Sequence, residues 1–548
     1  MLGAELVIRA LARRGVSTIF SLSGNQIMPL YDACIDANIR IVHVRHEAAA
    51  VFMADAWSQV TGEVGVAMLT AAPGIANGIG PLFSALQAES PVLVLSGDSP
   101  VAEDGMGAFQ ELDQASMTAP LTKWSKRVTD IDALVPTVDT AISTALAGRR
   151  GPVHLALPFD LMTRESGIDA LPAMANDTQR TAPPAASIAA IAQLLGQARR
   201  PLILAGPTLN RAAHRQSLPA RSQELQAPVI PMESPRGLRD PSLGAMAEVV
   251  SESDLIVLAG KRLDFTVGFG RENVFGKTAR VVVIDPDPAM LRRAEKLLGD
   301  RLAVLCASDV DLALDALQRA APSAQDNRGA WMLRVATALS ERGNAAANAA
   351  ANMSQASIHP RALCESVGRF LQGATNPILI CDGGEFGQWA QAFCSAPVRI
   401  INGVSGAIGG GICYGIAAKI ARPDATVVLL MGDGTAGFHL SEFDTAVREQ
   451  ASVIAVIGND LRWNAEHVIQ QRTYGEDRLI GCTLSATARY DLAVTGLGGF
   501  GAHVTQIEAL RPALDAALAS GLPACIDIRM AGQPAPVFAR NQSGASAH

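Results

Sequence analysis

Residues 427–435 read Val-Val-Leu-Leu-Met-Gly-Asp-Gly-Thr, an unbroken apolar run that ends in a tight polar turn. Such a run suits a strand that is covered on both faces, as in a parallel sheet between two layers of helices. A second run, at 453–457, ends in Gly458-Asn459-Asp460. Because the carboxyl ends of parallel strands form the ligand crevice of an open α/β sheet, the pattern predicts that Asp433 and Asp460 face one crevice.

The same alternation of an apolar run, a Gly or Pro turn and a helix-period segment recurs along the chain. We predict buried strands at residues 39–44, 64–70, 91–96, 153–157, 201–204, 255–258, 280–284, 377–381, 426–431 and 453–457. Strands that alternate with helices form parallel sheets with crossover helices. The sequence therefore predicts an α/β fold made of three doubly wound parallel-sheet domains.

Two stretches are predicted as linkers between these domains. Residues 166–187 are rich in Pro, Ala and Thr, whereas residues 320–360 are rich in Ala, Asn and Ser and are partly helical around 331–342. The linkers divide the chain into a first block at 1–165, a central accessory block at 186–340 and a last block at 358–548. Three blocks suit the chain length, since a domain typically holds roughly 100–200 residues.

The composition is that of a globular protein, with 49% hydrophobic and 18% charged residues among 548. The net charge of −7 and the absence of a Lys/Arg block do not indicate a nucleic-acid surface. Eight irregularly spaced cysteines without a Cys-x-x-Cys pair suit a reducing cytoplasm. The N-terminus reads as an amphipathic helix rather than a signal peptide, and we find no apolar run that predicts a membrane span. We therefore predict a cytoplasmic protein.

The acidic turns have a structural and a functional interpretation. Gly432-Asp433-Gly434 alone is compatible with an ordinary turn between a strand and a helix. A second acidic turn, one strand later, favours a ligand site, because two neighbouring carboxylates can hold a hard divalent cation. The glycines let backbone N–H groups approach a phosphate. The pattern predicts a cation that bridges the protein to a diphosphate.

The combination of Gly432-Asp433-Gly434 with Asn459-Asp460 resembles the thiamine-diphosphate signature, which opens with Gly-Asp-Gly and closes with Asn-Asn. The first block is similar to the pyrimidine-binding domain of the acetolactate synthase family. The residues that carry this likeness are Gly24, Arg45-His46-Glu47-Ala48-Ala49, Ala72-Pro73-Gly74, Asn77 and Phe109-Gln110-Glu111. Leu121-Thr122-Lys123-Trp124 and Glu442-Phe443-Asp444-Thr445 are similar to the benzaldehyde lyases. The resemblance covers nearly the whole chain.

In the last block, the resemblance implies a site for the diphosphate and its metal ion. Asp433 and Asp460 would bind Mg²⁺ through their side chains, and Arg462 through its backbone carbonyl. The other residues implied to bind thiamine diphosphate are Gly384, Glu385, Gly406, Ile408, Gly432, Gly434, Thr435 and Trp463. Core packing is the alternative for Trp463. Asp460 departs from the family pattern, which has Asn there, and the extra carboxylate changes the charge of the site.

In the first block, the resemblance assigns proton transfer to Glu47. It places the Glu47 carboxyl group against N1′ of the aminopyrimidine ring, with Gly24, Pro73 and Asn77 among the cofactor contacts. An acid in this position also suits a simpler role, the stabilisation of the N-terminus of the helix that begins at Ala48. The metal motif in the last block favours the catalytic interpretation.

Three amide side chains complete the catalytic residues that the resemblance implies. Asn25 and Gln26 would lie above the thiazolium ring, and Gln110 would close the opposite side together with Phe109. Gln26 does not titrate, but it can donate a hydrogen bond to an oxyanion. The alternative for Gln26 is an ordinary polar residue at the start of a helix.

The central block is the region that binds FAD in acetolactate synthases. Here Phe265-Thr266 stand where those enzymes usually carry an Asp-Arg pair. Gly268-Phe269-Gly270 is more similar to the flavin-free lyases and to the acyl-CoA decarboxylases, some of which bind ADP in this region. The sequence therefore leaves both FAD and ADP open.

The resemblance implies an enzyme that makes or breaks carbon–carbon bonds next to a carbonyl. The first hypothesis is an acetolactate-synthase-like carboligase of 2-keto acids or 2-hydroxy ketones, with a small carbonyl compound as substrate. The alternatives are a benzaldehyde-lyase-like enzyme that does not decarboxylate, and an enzyme similar to 2-hydroxyacyl-CoA lyase or oxalyl-CoA decarboxylase. A binding protein that has lost catalysis is disfavoured by the presence of both Glu47 and Asp433. In this family those two residues reach one cofactor from different subunits, which implies a homodimer or homotetramer.

Overall fold

The computed structural model describes residues 1–174, 180–320, 328–341, 357–401 and 403–538. In these residues, seventeen strands form three sheets in which every strand pair is parallel. Helices connect the strands and cover both faces of the sheets. The predicted α/β class, with three doubly wound parallel-sheet domains, is confirmed.

The first sheet is built from six strands. They are β1 (Thr18–Ser21), β2 (Arg40–His43), β3 (Gly65–Leu69), β4 (Val92–Asp98), β5 (Trp124–Arg127) and β6 (Val153–Pro158). Their order is β2-β1-β3-β4-β6-β5. The α-helices of this domain are Gly3–Arg13, Met28–Asp36, Glu47–Thr61, Pro73–Asn77, Ile79–Gln87, Gln114–Thr118, Leu134–Leu146 and Phe159–Thr163. The amphipathic N-terminal helix is therefore present as predicted.

The central sheet has five strands. They are β7 (Pro201–Ala205), β8 (Val229–Pro231), β9 (Leu255–Ala259), β10 (Arg280–Ile284) and β11 (Leu302–Cys306), in the order β11-β10-β9-β7-β8. Its α-helices are Ala185–Gln197, Pro207–Asn210, Ala212–Arg215, Leu218–Glu224, Met246–Glu252, Glu272–Phe275, Pro288–Leu298, Val310–Ala320 and Gly329–Ser340. The last of these helices falls inside the predicted linker 320–360. It packs onto this domain, because the buried Trp331 donates its indole N–H to the Pro201 carbonyl oxygen at 2.8 Å.

The last sheet again has six strands. They are β12 (Ile378–Asp382), β13 (Val398–Ile401), β14 (Val427–Gly432), β15 (Val453–Asn459), β16 (Phe500–Val504) and β17 (Ala524–Arg529), in the order β13-β12-β14-β15-β17-β16. Its α-helices are Pro360–Gln372, Glu385–Phe393, Gly411–Ala421, Asp433–Ala436, Glu442–Arg448, Asn464–Tyr474, Tyr490–Gly496 and Leu510–Ser520. The six positions follow the same order as in the first sheet, so the two outer domains share one topology.

The first and last domains of one chain pack against each other through two helices. The helix Glu47–Thr61 is apolar around most of its circumference, as expected for a helix that is buried on several sides. It lies against the helix Gly411–Ala421, where the Phe52 and Tyr414 rings meet edge to face with centroids 5.6 Å apart. The Tyr414 hydroxyl donates to Oδ2 of the buried Asp55 at 3.0 Å. One continuous core therefore joins the two outer sheets.

The ten predicted strands all occur, with ends that differ from the predictions by at most two residues. The three sheets lie inside the predicted blocks, while the block boundaries themselves stay a prediction. Residues 342–356 of the second predicted linker lie outside the described residues. Among the helices that the structure describes, none combines the length and hydropathy needed to cross a membrane.

Candidate active site

A cavity of about 410 Å³ opens at the carboxyl ends of β12, β14 and β15. Strand order reverses between β12 and β14, and this switch point is where open α/β sheets bind ligands. The lining includes all eleven residues that we predicted in the last domain: Gly384, Glu385, Gly406, Ile408, Gly432, Asp433, Gly434, Thr435, Asp460, Arg462 and Trp463. The structure therefore brings the complete last-domain set to one crevice.

Two buried carboxylates face this cavity. Asp433 is 3% exposed, and its Oδ1 and Oδ2 accept the N–H groups of Gly434 at 3.0 Å and Leu461 at 2.9 Å. Burial raises the pKa of Asp433 to about 6. Burial and the neighbouring Asp433 raise the pKa of Asp460 to about 7. Two neighbouring carboxylates disfavour each other's ionised form. A hard divalent cation such as Mg²⁺ would neutralise both charges, so the pair suits such a cation.

The loop after β15 presents Asp460 by anchoring its neighbours. Asn459 is fully buried, and its side-chain Nδ2 donates to Asp527 Oδ1 at 3.0 Å while its side-chain Oδ1 accepts the N–H of Leu461 at 3.3 Å. Leu461 has a φ of 64°, which turns the chain sharply. The Arg462 guanidinium donates back to the Asp460 carbonyl oxygen at 3.3 Å. Asn459 therefore fixes the loop from behind, and Asp460 is the residue that faces the cavity.

Glycines let the backbone approach the cavity closely. A Cβ at Gly383, where φ is 95°, would lie 2.6 Å from the Thr435 hydroxyl oxygen. A Cβ at Gly434 would lie 2.7 Å from the Trp463 ring. The helix Glu385–Phe393 begins at the cavity, and backbone N–H groups at such a terminus favour a phosphate. The residues therefore fit a diphosphate that is held between two glycine turns.

Two of the predicted residues have further contacts. The Trp463 ring packs edge to face on Phe438 with centroids 6.2 Å apart, so Trp463 both lines the cavity and takes part in packing. Glu385 lines the cavity, and its carboxylate accepts the N–H of Ala535. Burial raises the pKa of Glu385.

The segment with Gly406 and Ile408 is held by a residue that we did not predict. Asp382, the last residue of β12, is buried, and its Oδ2 accepts the N–H groups of Gly409 at 3.1 Å and Gly411 at 2.7 Å. Burial raises the pKa of Asp382 to about 6. Gly406 has a φ of 69°, and Ile408 is half-buried at the cavity wall. The sequence signal was a polar residue directly after a predicted strand.

The central domain also contributes to the cavity wall, which the sequence did not predict. Ser234, Pro235, Arg236 and Phe265 line it. Phe265 stands at the position where the sequence departs from the flavin-binding pattern of acetolactate synthases. Proximity between domains leaves no local pattern in a sequence, so only the structure reveals this wall.

Glu47 begins its helix directly after β2 and a short turn. Its Oε2 accepts a hydrogen bond from the Asn77 amide at 3.0 Å, and a Cβ at Gly74 would lie 3.8 Å from its Oε1. Asn77 belongs to the short helix that Pro73 begins. The helix N-cap is His46, whose Nδ1 accepts the N–H of Ala48 at 3.1 Å. Glu47 is therefore not the N-cap residue, and its carboxylate remains half-buried beside Asn77.

Gln26 and Gln110 are hydrogen-bonded to each other. The Gln26 amide donates to Gln110 Oε1 at 2.6 Å, and its Oε1 accepts the Thr70 hydroxyl at 2.7 Å. A Cβ at Gly24 would lie 2.3 Å from Thr70 Cβ, so the two strand ends are in close contact. Asn25 is exposed beside this network. These residues and the Glu47 group meet around Gly74, which also contacts Thr70.

The predicted residues thus form two groups in a single chain. The first-domain group consists of Gly24, Asn25, Gln26, Glu47, Pro73, Asn77 and Gln110. Among the described residues, the last-domain cavity is lined by the central and last domains only. The structure of one chain therefore does not bring Glu47 into the cavity that contains Asp433.

The central sheet has its own switch point, between β7 and β9. It is closed, because a Cβ on Gly206 would lie 2.2 Å from the Gly260 carbonyl oxygen. Arg149 of the first domain crosses it, donating to that oxygen at 2.9 Å and to Asp285 Oδ1 at 3.1 Å, and it also pairs with Glu89. The adjoining cavity of about 200 Å³ is smaller than the roughly 300–1,000 Å³ of typical ligand pockets. Both FAD and ADP stay predictions for this domain.

Comparison with known proteins gives three family matches. "Thiamine pyrophosphate enzyme, N-terminal TPP binding domain" matches residues 1–117, the central domain of the same enzymes matches 188–317, and the C-terminal TPP binding domain matches 382–528. Thiamine pyrophosphate is another name for thiamine diphosphate. The two TPP binding domains imply this cofactor, and they contain the two groups of predicted residues.

Individual relatives cover nearly the whole chain. A probable acetolactate synthase of Mycobacterium bovis is 32% identical over 96% of this chain and 95% of its own. The 2-hydroxyacyl-CoA lyase 2 of Homo sapiens is 30% identical over 91% of this chain and 84% of its own. The fold matches that of the Rhodococcus jostii RHA1 thiamine diphosphate-dependent 4-hydroxybenzoylformate decarboxylase, with a TM-score of 0.83, 24% identity and coverage of 97% and 100%. The chain therefore belongs to the thiamine-diphosphate-dependent enzymes of the acetolactate synthase family.

Proposed function

We propose that this enzyme is a carbon–carbon lyase or carboligase of 2-keto acids or 2-hydroxy ketones, similar to acetolactate synthase. The observation that carries the proposal is the buried pair Asp433 and Asp460 at the switch point of the last sheet. This pair can anchor a metal-bound diphosphate at a defined place. The acetolactate synthase relative supports the choice of reaction class.

Asp433 and Asp460 bind Mg²⁺ through their carboxylates, and Arg462 contributes its backbone carbonyl. The glycine turns at Gly384 and Gly434, with the Thr435 hydroxyl, hold the diphosphate oxygens. Two observations support these assignments: the residues line one cavity, and the backbone approaches closely at these turns. When bound, thiamine diphosphate supplies the electron sink for carbon–carbon bond cleavage next to a carbonyl.

Glu47 is the residue that would exchange a proton with the aminopyrimidine ring of the bound cofactor. The Asn77 amide orients its carboxylate, and His46 rather than Glu47 caps the helix. A positioned acid–base group of this kind contributes roughly 10²- to 10⁴-fold to a rate. Gln26, held by Gln110 and Thr70, presents a fixed amide at the same face of the domain. Asn25 is free to contact substrate because it is exposed.

A second copy of the chain completes each site, as a homodimer or homotetramer. Glu47 lies outside the cavity of its own chain, so an acid from another subunit is required there. Near Gln110, Met106 is 76% and Phe109 73% exposed, and a group of exposed apolar side chains marks an interaction surface. These residues suit burial against a partner subunit.

A second candidate function is a flavin-free lyase of 2-hydroxyacyl-CoA compounds. The specific observation is the switch point of the central domain, where the backbone at Gly206 and Gly260 is in close approach and Arg149 crosses it, which leaves little room for a flavin. The human relative of that name supports the same class. A hydroxy-ketone lyase of the benzaldehyde lyase type is equally compatible with a flavin-free central domain.

Product identification separates these candidates. The holoenzyme would be incubated with pyruvate, benzoin and a 2-hydroxyacyl-CoA, and the products identified by mass spectrometry. Release of carbon dioxide with a new hydroxy keto acid is expected for the first proposal, and cleavage to an aldehyde for either lyase. The Glu47→Gln variant is the control for background reactions. Folded protein that neither binds thiamine diphosphate by calorimetry nor converts any of these compounds would overturn the proposed function.

A further inference from the structure

A buried acid of the last domain contacts the backbone just before Glu47. Glu442, the first residue of the helix Glu442–Arg448, is 0% exposed. Its Oε1 accepts the N–H groups of Arg45 at 3.0 Å and His46 at 3.1 Å, and its Oε2 accepts the Thr445 hydroxyl at 2.7 Å. A single carboxylate of one domain thus holds two successive N–H groups of another.

These two N–H groups lie in the turn that sets the direction of Glu47. The turn leads from β2 into the helix Glu47–Thr61; the Val44 N–H still donates to the Ser21 carbonyl oxygen at 2.9 Å, whereas the next two N–H groups donate to Glu442. The His46 side chain holds the helix side of the turn through Ala48, and Glu442 holds the strand side. Charged acceptors make stronger hydrogen bonds than neutral ones, particularly when buried. Burial raises the pKa of Glu442, whereas its three hydrogen bonds favour the ionised form.

Glu442 also lies close in sequence to Gly432-Asp433-Gly434, the turn that is proposed to hold the diphosphate. Glu442 follows Asp433 by nine residues, so the two are joined by one short segment. Within it, Phe438 packs on Trp463, and the buried His439 ring contacts Phe52 edge to face with centroids 5.7 Å apart. The buried His439 therefore anchors the segment to the first domain, while Phe438 is 53% exposed.

We propose that Glu442 is a positioning residue for Glu47, acting through the backbone N–H groups of Arg45 and His46. This inference rests on the proposed function, in which Asp433 and Glu47 of one chain serve two different sites. The contact of Glu442 then links the diphosphate-binding part of one site to the catalytic acid of the other. Glu442 itself touches neither cofactor nor substrate.

Three variants test this role. Glu442→Met keeps the length of the side chain but removes both acceptors, whereas Glu442→Gln keeps a neutral acceptor oxygen. The matched control is Glu449→Gln, which removes the ion pair between Arg40, at the start of β2, and the residue that directly follows the helix Glu442–Arg448, and Glu449 makes no hydrogen bond to Arg45 or His46 among the described contacts. Hydrogen exchange of the peptide spanning 43–48 would be followed by mass spectrometry without cofactor, and then kcat and cofactor affinity with it.

We expect Glu442→Met to accelerate exchange in this peptide at least about tenfold, because two protected amides lose their acceptor. Its kcat should fall about 10- to 100-fold, the effect of misplacing a catalytic group by about an ångström, while cofactor affinity changes little. Glu442→Gln should restore both quantities to within about fivefold of the wild type. Glu449→Gln should leave both unchanged.

Unchanged exchange and kcat in Glu442→Met would overturn the proposal, as would an equal effect in Glu449→Gln, which would indicate general loosening of the domain contact. If Glu442→Met does not fold, Thr445→Val replaces it: loss of the hydroxyl that fixes Oε2 should accelerate exchange in the same peptide, and no change would count against the proposal. The exchange experiment needs no cofactor, so it separates failure of this role from failure of the proposed function, which shows as absent cofactor binding in the wild type.

Discussion

The first and last domains have the same strand order, but the crevice where that order reverses is filled in one and open in the other. Between β1 and β3, Gly24 is in close contact with Thr70, and the Gln26 side-chain amide is hydrogen-bonded to both Gln110 and Thr70. Between β12 and β14, a cavity of about 410 Å³ remains. One topology therefore supports two different surfaces at equivalent places.

The chemistry of the side chains explains the difference. Amides and hydroxyls both donate and accept, so Gln26, Thr70 and Gln110 can satisfy one another and close a gap. Ionised carboxylates only accept, so Asp433 and Asp460 cannot pair with each other and hold a place for a cation. Strand order fixes where a crevice forms, and the residues after each strand decide what it binds.

The largest effect on activity is expected for a change of Glu47, the acid of the first domain. Glu47→Gln keeps the acceptor for the Asn77 amide but cannot exchange a proton at the cofactor. We expect kcat to fall roughly 10²- to 10⁴-fold while cofactor affinity measured by calorimetry stays near the wild-type value. Near-normal turnover of this variant would contradict the division of roles between the two domains.

The next effect is expected at the open crevice. Asp433→Ala removes the proposed metal ligand and leaves the N–H of Leu461 with only its longer hydrogen bond to Asn459 Oδ1. Affinity for Mg²⁺ and thiamine diphosphate should fall by about 100-fold or more, since loss of even an outer contact to a metal ligand costs roughly 10–100-fold. Calorimetric titration provides the measurement, with Glu47→Gln as the control that should keep its affinity. Undiminished affinity would remove the basis of the metal assignment.

The open crevice was easier to predict from the sequence than the filled one. Asp433 and Asp460 follow long apolar runs directly, so the strands that carry them and their position at the sheet edge are both visible. Glu47 could be placed at the end of a strand, but its separation from the Asp433 cavity became visible only in the structure. The Gln26–Gln110 bond joins residues 84 positions apart, and no periodicity encodes such a pairing.

The strands that we did not predict have a physical explanation as well. Seven strands were missed: β1, β5, β8, β11, β13, β16 and β17. The sequence of β16 is Phe-Gly-Ala-His-Val at a sheet edge, and β17 reads Ala-Cys-Ile-Asp-Ile-Arg with the buried Asp527 inside it. Glycine and aspartate are depleted in strands, and alanine less strongly, so local preference argued against both. Pairing with neighbouring strands overrides that preference in the fold.

Acid should act in opposite directions on two buried groups, one in each outer domain. In the first domain, burial lowers the pKa of His154 from 6.5 to about 3. The unfolded state then binds more protons below pH 6.5, so stability falls as the pH falls, by about 2 kcal/mol at pH 5. In the last domain, Asp382 has a pKa of about 6 against 3.8, so the native state binds more protons. The contribution of Asp382 to stability should therefore rise by about 1 kcal/mol between pH 7 and pH 5.

Hydrogen exchange of peptides from β6 and β12 at pH 7 and pH 5, corrected for the intrinsic rate, measures this contrast domain by domain. His154→Gln should flatten the acid loss in β6, although the variant is less stable at pH 7 because Ser96 and Thr118 lose a partner. Asp382→Asn should flatten the acid gain in β12. Parallel pH responses of the two domains would show that neither buried group controls the stability of its own domain.

The smallest effect is expected at the residue that departs from the family pattern. Asp460→Asn replaces one of two opposed carboxylates by a neutral oxygen ligand, which lowers the charge available to Mg²⁺ but also removes the repulsion from Asp433. Because these two changes oppose each other, affinity for Mg²⁺ at pH 7.5 should change by no more than about tenfold. The pH dependence gives a sharper measurement. The wild type should lose affinity as the pH falls from 8 to 6, since protons compete at Asp460, and Asp460→Asn should lose less over that range. A loss of affinity in Asp460→Asn as large as that of Asp433→Ala would mean that the two carboxylates act as one obligatory pair, and that the second acid is a requirement of this crevice rather than a variation on it.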